Sequence, residues 1–168
     1  GNAYGGLVTY NSGNGREYIS TALSQTLAIG TKYYVSAYIS RADSFPYNVA
    51  SNKFGFRFST ISFTYSTSLT DNFSHIHSNN IIYDSLGWTK ISGSFVADSV
   101  YQYFIIGNFY NDANTAVTNS LFLAYYYVDQ TCVSTDSTLC NTSTSFQDLK
   151  FQNNISIYPN PTINNFTV

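Results

Sequence analysis

The chain has 168 residues and a formal net charge of −2; only 10% of its residues are charged, whereas 18% are aromatic. This balance excludes a disordered segment, which is rich in charge and poor in aromatic residues, and a nucleic-acid-binding surface, which needs clustered basic side chains. No run of about 18 apolar residues is present to span a membrane as a helix. The single glutamate, Glu17, argues against a long helical bundle. These exclusions leave an all-β domain with a surface of Ser, Thr, Asn and Tyr.

Alternation of apolar and polar residues predicts most of the strands. In the clearest case, residues 31–41, one face carries Tyr33, Val35, Ala37 and Ile39, and the other carries Tyr34, Ser36, Tyr38 and Ser40. Similar patterns cover residues 17–27, 54–58, 61–65, 88–97, 101–109 and 121–133. Turn-rich segments separate them at 11–15, 43–52, 66–80 and 111–119. Seven or eight such strands predict a β-sandwich of jelly-roll or related topology, although periodicity does not choose the strand order.

The two cysteines, Cys132 and Cys140, have no histidine and no second cysteine pair near them in the sequence. A structural zinc site needs about four ligands and is therefore disfavoured. We favour a disulfide that closes a short loop, with two free thiols as the alternative. A disulfide would place the protein in an oxidising compartment outside the cytoplasm.

The composition changes after Cys140. Residues 141–152 begin with Asn-Thr-Ser-Thr-Ser and are interpreted as a linker, and residues 153–168 predict a short strand, a proline-locked turn and the start of another strand. We therefore expect a first domain over residues 1–140 and the truncated opening of a second over 153–168. The chain contains no methionine, and we interpret it as a fragment of a longer protein.

The segment I-S-I-Y-P-N-P-T-I-N-N-F-T-V at 155–168 resembles the opening of the C-terminal (type A) sorting domain of type IX secretion cargo proteins. The residues that match the family motif are Ile157, Tyr158, Pro159, Asn160 and Pro161. The usual glycine of the following turn is absent. The resemblance implies a bacterial protein that engages the type IX secretion machinery and is secreted or held at the outer-membrane cell surface.

Residues 1–140 resemble the carbohydrate-binding-module-like jelly-roll domains that precede such sorting domains. Three stretches carry the resemblance: Glu17-Tyr18-Ile19 with Leu27, Gly30 and residues 33–35; residues 87–93; and residues 126–129 with Cys132. The resemblance implies an antiparallel β-sandwich of galactose-binding-like type. Complete family members have an extra N-terminal stretch, so we expect N-terminal strands to be missing.

The same resemblance suggests a structural calcium ion between an early strand and the last strand. Asp129 lies in an otherwise apolar strand and needs a partner, and Glu17 is the early-strand acid that could join it. The alternative is that Asp129 caps a turn or pairs with Arg16 or Lys32. His75 and His77 could bind a metal from one strand face, but we favour a polar loop there.

Candidate glycan-binding residues are aromatic, because exposed Trp and Tyr stack on sugar rings. Tyr34 and Tyr38 share the outward face of their strand, about 13 Å apart, and Trp88 begins another strand. Cross-strand packing of the tyrosines and core or rim packing of the tryptophan are the alternatives.

The nine acidic residues form no recognisable catalytic motif, and neither a G-x-S-x-G elbow nor a Cys–His pair is present. We therefore expect a non-catalytic secreted or cell-surface module that binds a glycan or mediates adhesion. Its expected partners are a polysaccharide and the secretion machinery, with no nucleic acid and no membrane span. The alternatives are a structural spacer without its own ligand and an accessory domain of a secreted polysaccharide-degrading hydrolase.

Overall fold

Eight strands form most of the regular structure in residues 4–63 and 69–141, the part of the chain that the computed structural model describes. They are β1 (Gly5–Tyr10), β2 (Tyr18–Ala22), β3 (Lys32–Arg41), β4 (Phe54–Ser59), β5 (Ile76–His77), β6 (Thr89–Val96), β7 (Tyr103–Asn108) and β8 (Ala124–Ser134). A 3₁₀ turn (Asp112–Asn114) precedes β8, and a short helix, α1 (Ser137–Asn141), follows it.

The strands form two four-stranded antiparallel sheets. The first sheet has the order β1-β8-β3-β6 and the second the order β2-β7-β4-β5. The first strand therefore pairs with the eighth, the second with the seventh, the third with the sixth and the fourth with the fifth. This is the pairing of a long hairpin folded over on itself, the arrangement of a jelly roll. The predicted all-β jelly-roll sandwich is thus confirmed.

The core lies between the two sheets and follows the period-two pattern of the strands. On β3, Val35, Ala37 and Ile39 are at most 1% exposed, as the alternation predicts. The facing sheet contributes the three phenylalanines of β4, Phe54, Phe56 and Phe58, which are also buried. Aromatic rings therefore fill much of the space between the sheets.

Tyr126 on β8 is the largest side chain that is fully buried. Its hydroxyl oxygen accepts a hydrogen bond from the Ser51 backbone N–H at 2.9 Å and donates one to the Ile82 carbonyl at 2.7 Å. A buried hydroxyl without partners would cost stability, and these two bonds avoid that cost. They also fix the loops before β4 and before β6 against the first sheet.

An ion pair between a buried arginine and a partly exposed aspartate closes the end of the sandwich near the predicted 11–15 turn. The Arg16 side chain is 1% exposed, and its guanidinium lies 2.9 Å from the Asp112 carboxylate. The other Asp112 oxygen accepts hydrogen bonds from the backbone N–H groups of Gly13 and Asn14, both in the left-handed region. Glycine and asparagine tolerate that conformation best, so the predicted turn forms here.

Three local features differ from the sequence prediction. Alternation does not reveal β1, whose first two residues are glycines. Residues 61–63 of the predicted 61–65 strand are not a strand, because the Ser59 hydroxyl bonds to both the N–H and the carbonyl of Ile61 and ends β4. The predicted 66–80 loop contains β5, which lies at the edge of the second sheet.

The predicted second unit at 153–168, including Tyr158, Pro159, Asn160 and Pro161, lies outside the described residues. Of the predicted linker 141–152, Asn141 alone is described, and it ends α1. Within the described ranges, no helix has the length and apolar character needed to cross a bilayer.

We expect Tyr126→Phe to lower the free energy of unfolding by about 1–3 kcal/mol, because the Ser51 N–H and the Ile82 carbonyl lose a buried partner. Chemical denaturation followed by circular dichroism measures the change. The matched control is Tyr127→Phe on the same strand, whose ring points outward and whose substitution should change stability by less than about 0.5 kcal/mol. Equal effects of the two substitutions would contradict the assigned role.

Candidate functional site

The outer face of the first sheet presents tyrosines beside small residues. Tyr125 and Tyr127 flank the buried Tyr126 on β8 and therefore point outward. Tyr127 pairs with Gly6 on one side and Ser40 on the other, so neither neighbour covers its ring with a large side chain. A Cβ atom on Gly6 would collide with the Tyr125 hydroxyl, so a larger residue at this position would displace that ring. The small residues paired with β8 therefore leave space on this face for the rings of Tyr125 and Tyr127.

Five aromatic side chains form a continuous row on this face, which we call the aromatic row: Tyr47, Tyr125, Tyr127, Tyr4 and Trp88. Consecutive ring centroids in that order lie 6.0, 5.5, 5.1 and 6.3 Å apart. Neighbouring rings meet edge to face, at interplanar angles of 62–74°. Tyr4 is 60% exposed, and Tyr47 and Trp88 are each 44% exposed. A surface array of this length is a candidate interaction site, because exposed aromatic side chains are otherwise scattered.

The environment of the row combines apolar rings with polar groups at the rim. Partial burial and the nearby Glu17 carboxylate raise the pKa of Tyr125 further above neutrality, and its neutral hydroxyl can donate a hydrogen bond. Edge-to-face contacts hold the rings in place. The row can therefore offer apolar contact area together with hydroxyl hydrogen bonds.

The three predicted glycan-binding residues fall in different places. Trp88 belongs to the aromatic row. Tyr34 and Tyr38 lie on the outer face of β3, but α1 lies over the sheet between them, where the Ser36 hydroxyl donates to the Cys140 carbonyl at 3.0 Å. Each tyrosine instead lines its own cleft beside α1, of about 230 Å³ for Tyr34 and about 150 Å³ for Tyr38. The structure therefore does not join them into one continuous surface.

The disulfide accounts for the position of α1. Cys132 on β8 and Cys140 on α1 are bonded, as predicted. The two cysteines lie on either side of the turn between β8 and α1, where the chain folds back onto the outer face of the first sheet. Cys140 is buried against that face. The bond therefore ties the helix to the strand from which the chain has just emerged.

The predicted calcium ligands, Glu17 and Asp129, are not brought together. A Glu17 side-chain oxygen accepts a hydrogen bond from the Val8 N–H at 2.8 Å, beside Tyr125. Asp129 lies on β8 four residues beyond Tyr125, about 13 Å from that tyrosine at the rise of a strand. Calcium takes six to eight oxygens, and the described residues contain no group of three or more acidic, histidine or cysteine side chains suited to a metal. The arrangement does not fit the expected ion.

Asp129 instead fits the alternative in which it caps a local turn. Its carboxylate accepts a hydrogen bond from the N–H of Gln130 at 2.7 Å, and Gln130 has a positive φ of 49° at a β-bulge in β8. Its other candidate partners are engaged elsewhere, since Arg16 pairs with Asp112 and Lys32 lies over a tyrosine ring.

His75 belongs to a hydrogen-bonded network. Its Nδ1 accepts from the Phe58 N–H at 3.1 Å, and its Nε2 lies 3.1 Å from the Tyr101 hydroxyl. That hydroxyl donates to Asp98 at 2.6 Å, which leaves its oxygen to accept from Nε2–H. Burial lowers the pKa of His75 to about 4. Both ring nitrogens are satisfied in the neutral form, as expected for a structural histidine.

His77 has a separate set of partners. Its Nε2 lies 3.1 Å from both the Lys53 ammonium and the Asn79 side-chain oxygen, and its Nδ1 lies 3.0 Å from the Ser74 hydroxyl. Burial and the Lys53 charge lower its pKa. The two histidines therefore do not form one metal-binding pair.

Four residues of the aromatic row were not among the predicted site residues: Tyr4, Tyr47, Tyr125 and Tyr127. The run of three consecutive tyrosines at 125–127 contained a usable signal, because alternation on a strand must turn at least one of the three outward. Tyr4 precedes β1 and Tyr47 lies in a loop, so nothing in the sequence pattern placed them beside β8.

No protein-family model and no curated protein matches the chain. Among solved structures, it is similar to the CBM22-1 xylan-binding domain from Paenibacillus barcinonensis Xyn10C, with 14% identity and a TM-score of 0.37 over 68% of this chain and 61% of that domain. It is also similar to the CBM22-1–GH10 modules of Clostridium thermocellum xylanase 10B complexed with xylohexaose, with 10% identity and a TM-score of 0.37 over 79% and 24% of the two chains. The chain thus matches less than two thirds of either structure, and likeness at this level carries no statement about function.

We expect stability to decrease as the pH falls from 6.5 through about 4. The pKa of His75 is about 4 in the folded protein, below the ordinary value of 6.5, so the unfolded chain takes up the proton first as the pH falls. The contribution of neutral His75 to the free energy of unfolding is therefore fully present only above pH 6.5. Denaturation curves across this range, together with the NMR titration of the His75 ring proton, measure the effect. His75→Gln should flatten the dependence, and an unchanged slope in that variant would contradict the assignment.

Proposed function

We propose that this domain is a non-catalytic glycan-binding module whose ligand lies along the aromatic row. The observation that carries the proposal is the row itself, with ring-to-ring steps of 5.1–6.3 Å across an exposed sheet face. Pyranose rings present apolar C–H faces and polar rims, and tyrosine and tryptophan offer the complementary combination of a flat apolar body and a polar edge.

The electrostatics of the row favour recognition over cleavage. Glycoside hydrolysis generally needs two carboxyl groups about 5–10 Å apart across the scissile bond. The Asp84 carboxylate, close to Trp88 in the chain, already accepts from the N–H groups of Leu86 and Gly87, and the Glu17 carboxylate already accepts a hydrogen bond from the Val8 backbone. A side chain held in this way serves better to fix the strand edge than to transfer protons. We therefore assign the row to binding.

We further propose that the protein acts outside the cell, secreted or at the outer-membrane surface, after export by a type IX secretion system. The Cys132–Cys140 disulfide supports an oxidising destination. The Y-P-N-P sequence at 158–161 supports the route, through its resemblance to the sorting domain of that system. A polysaccharide or surface glycan is the proposed partner.

Glycan binding should weaken at least about fivefold when one ring of the row is removed, because a stacking aromatic contributes about 1–3 kcal/mol. The whole chain is first screened on a glycan array, and Tyr127→Ala and Trp88→Ala are then titrated with the best ligand by calorimetry. Trp88 is the sole tryptophan, so its fluorescence reports ligand on the row of the unsubstituted protein. The matched control is Tyr83→Ala, which removes a tyrosine that is 62% exposed outside the row.

Failure to bind any glycan would instead support a spacer without its own ligand. Binding that survives both row substitutions would disprove the assignment of the site. Hydrolysis of a bound polysaccharide by the isolated domain would disprove the non-catalytic assignment.

Export should depend on the Y-P-N-P sequence. Replacing Pro159 and Pro161 by alanine in the natural protein, expressed in a bacterium that has a type IX system, should retain it inside the outer membrane. Immunoblots of periplasmic, surface and culture fractions measure the distribution. Tyr83→Ala should be exported normally, and undiminished export of the double-proline variant would refute the proposed route.

A further inference from the structure

A second candidate site lies on the same sheet face, in the cleft between α1 and β6. The cleft has a volume of about 230 Å³, below the 300 Å³ at which drug-sized pockets begin. Its polar lining comprises Tyr34, Ser92, Ser94, Ser137 and Asn141. Along β6, the lining residue Ser92 lies four residues beyond Trp88 of the aromatic row, about 13 Å at the rise of a strand. Its size suits one sugar residue rather than a chain.

The lining is rich in hydroxyl groups without protein partners. Within residues 4–63 and 69–141, the side-chain hydroxyls of Tyr34, Ser92, Ser94 and Ser137 make no hydrogen bond to another protein group. Hydroxyl groups both donate and accept, which is the capacity that a ligand with several hydroxyls requires. The cleft therefore has both the shape and the bonding groups for a saccharide unit.

The ammonium groups of two lysines contact residues that line the cleft. The Lys32 ammonium lies 5.3 Å from the centroid of the Tyr34 ring, and the Lys90 ammonium donates to the side-chain oxygen of Asn141 at 3.2 Å. In the described part of the chain, neither ammonium lies within 4.0 Å of a carboxylate. The cleft is consequently flanked by positive charge that the protein itself does not neutralise.

The acids near this region are held by other groups. The Asp136 carboxylate accepts hydrogen bonds from the N–H and hydroxyl of Thr138 at the start of α1. Asp129 is bonded to its neighbouring backbone N–H and lies on the far side of Tyr38 from Lys90. A negatively charged ligand would therefore meet the two ammonium groups first.

We propose that this cleft binds a single anionic sugar residue. The acid group, a carboxylate or a sulfate ester, is attracted by the ammonium groups at the two ends of the cleft, Lys32 beside Val96 and Lys90 beside Tyr38, and the sugar hydroxyls bond to the serine and tyrosine hydroxyls of the lining. The disulfide is part of this site, because α1 forms one of its walls. The proposal does not depend on the aromatic row, which would bind a different part of a glycan or a different glycan.

The test is an amide NMR titration of the whole chain with sodium galacturonate, galactose 6-sulfate and galactose. Both anionic sugars should shift the amides of residues 92–94 and 137–141, and galactose should bind at least about tenfold more weakly. Unequal affinities for the two anions distinguish a carboxylate from a sulfate preference. Raising the ionic strength to about 1 M, where the Debye length is about 3 Å, should weaken binding of the anions.

Lys32→Gln and Lys90→Gln should each reduce affinity for the anionic sugars, with Lys90→Arg retaining most of it. The matched control is Lys53→Gln, since Lys53 contacts His77 on the other sheet and should not affect the cleft. Equal binding of galactose, or full affinity in both glutamine variants, would overturn the proposal. Shifts confined to residues 125–127 would also overturn it while supporting the aromatic row, and Trp88 fluorescence with neutral oligosaccharides tests the row separately.

Discussion

The alternation of three consecutive tyrosines on β8 determines both the interior and the surface of this protein. Tyr126 points inward, where its buried hydroxyl must find partners, and it bonds to loops that precede β4 and β6. Its neighbours Tyr125 and Tyr127 must then point outward, where they form the centre of the aromatic row. A shift of one residue in register would bury two tyrosines and expose the one that organises the loops. The candidate site thus depends on the same constraint as the core.

The disulfide and α1 organise the rest of that face. By lying over Ser36, the helix divides the outer surface of β3 into two small clefts and leaves the region near Trp88 and Tyr127 open. The same sheet therefore has an open aromatic surface at one end and a walled polar cleft at the other. The two surfaces differ in charge and shape, and such a difference allows distinct parts of a ligand to be recognised separately.

Period-two patterning was sufficient to predict most strands, the sandwich class and the inner face of β3. A strand that is buried on one face alternates apolar and polar residues, and this alternation is visible in the sequence. The Cys132–Cys140 bond was also predictable, since few alternatives exist for two nearby cysteines. The site was less accessible to sequence reasoning. Trp88 was predicted as a candidate and lies in the aromatic row, but Tyr4 and Tyr47 reach the row only through long-range packing, and α1 separates Tyr34 from Tyr38. Glu17 and Asp129 lie apart because strand register, which composition does not encode, places Glu17 beside Val8 and Tyr125, four residues from Asp129 along β8.

The bonds of Glu17 have a consequence for behaviour at high concentration. β1 is the outermost strand of its sheet, and an open strand edge can recruit the edge of another copy. Here the backbone N–H of Glu17 donates to the Val8 carbonyl, and its carboxylate accepts from the Val8 N–H. The backbone carbonyl and the backbone N–H of Val8 are thereby both satisfied within one molecule. The charged side chain of Glu17 also occupies the place where a strand of another copy would have to pair with β1. Even at high concentration, copies of the protein are therefore hindered from associating edge to edge through β1.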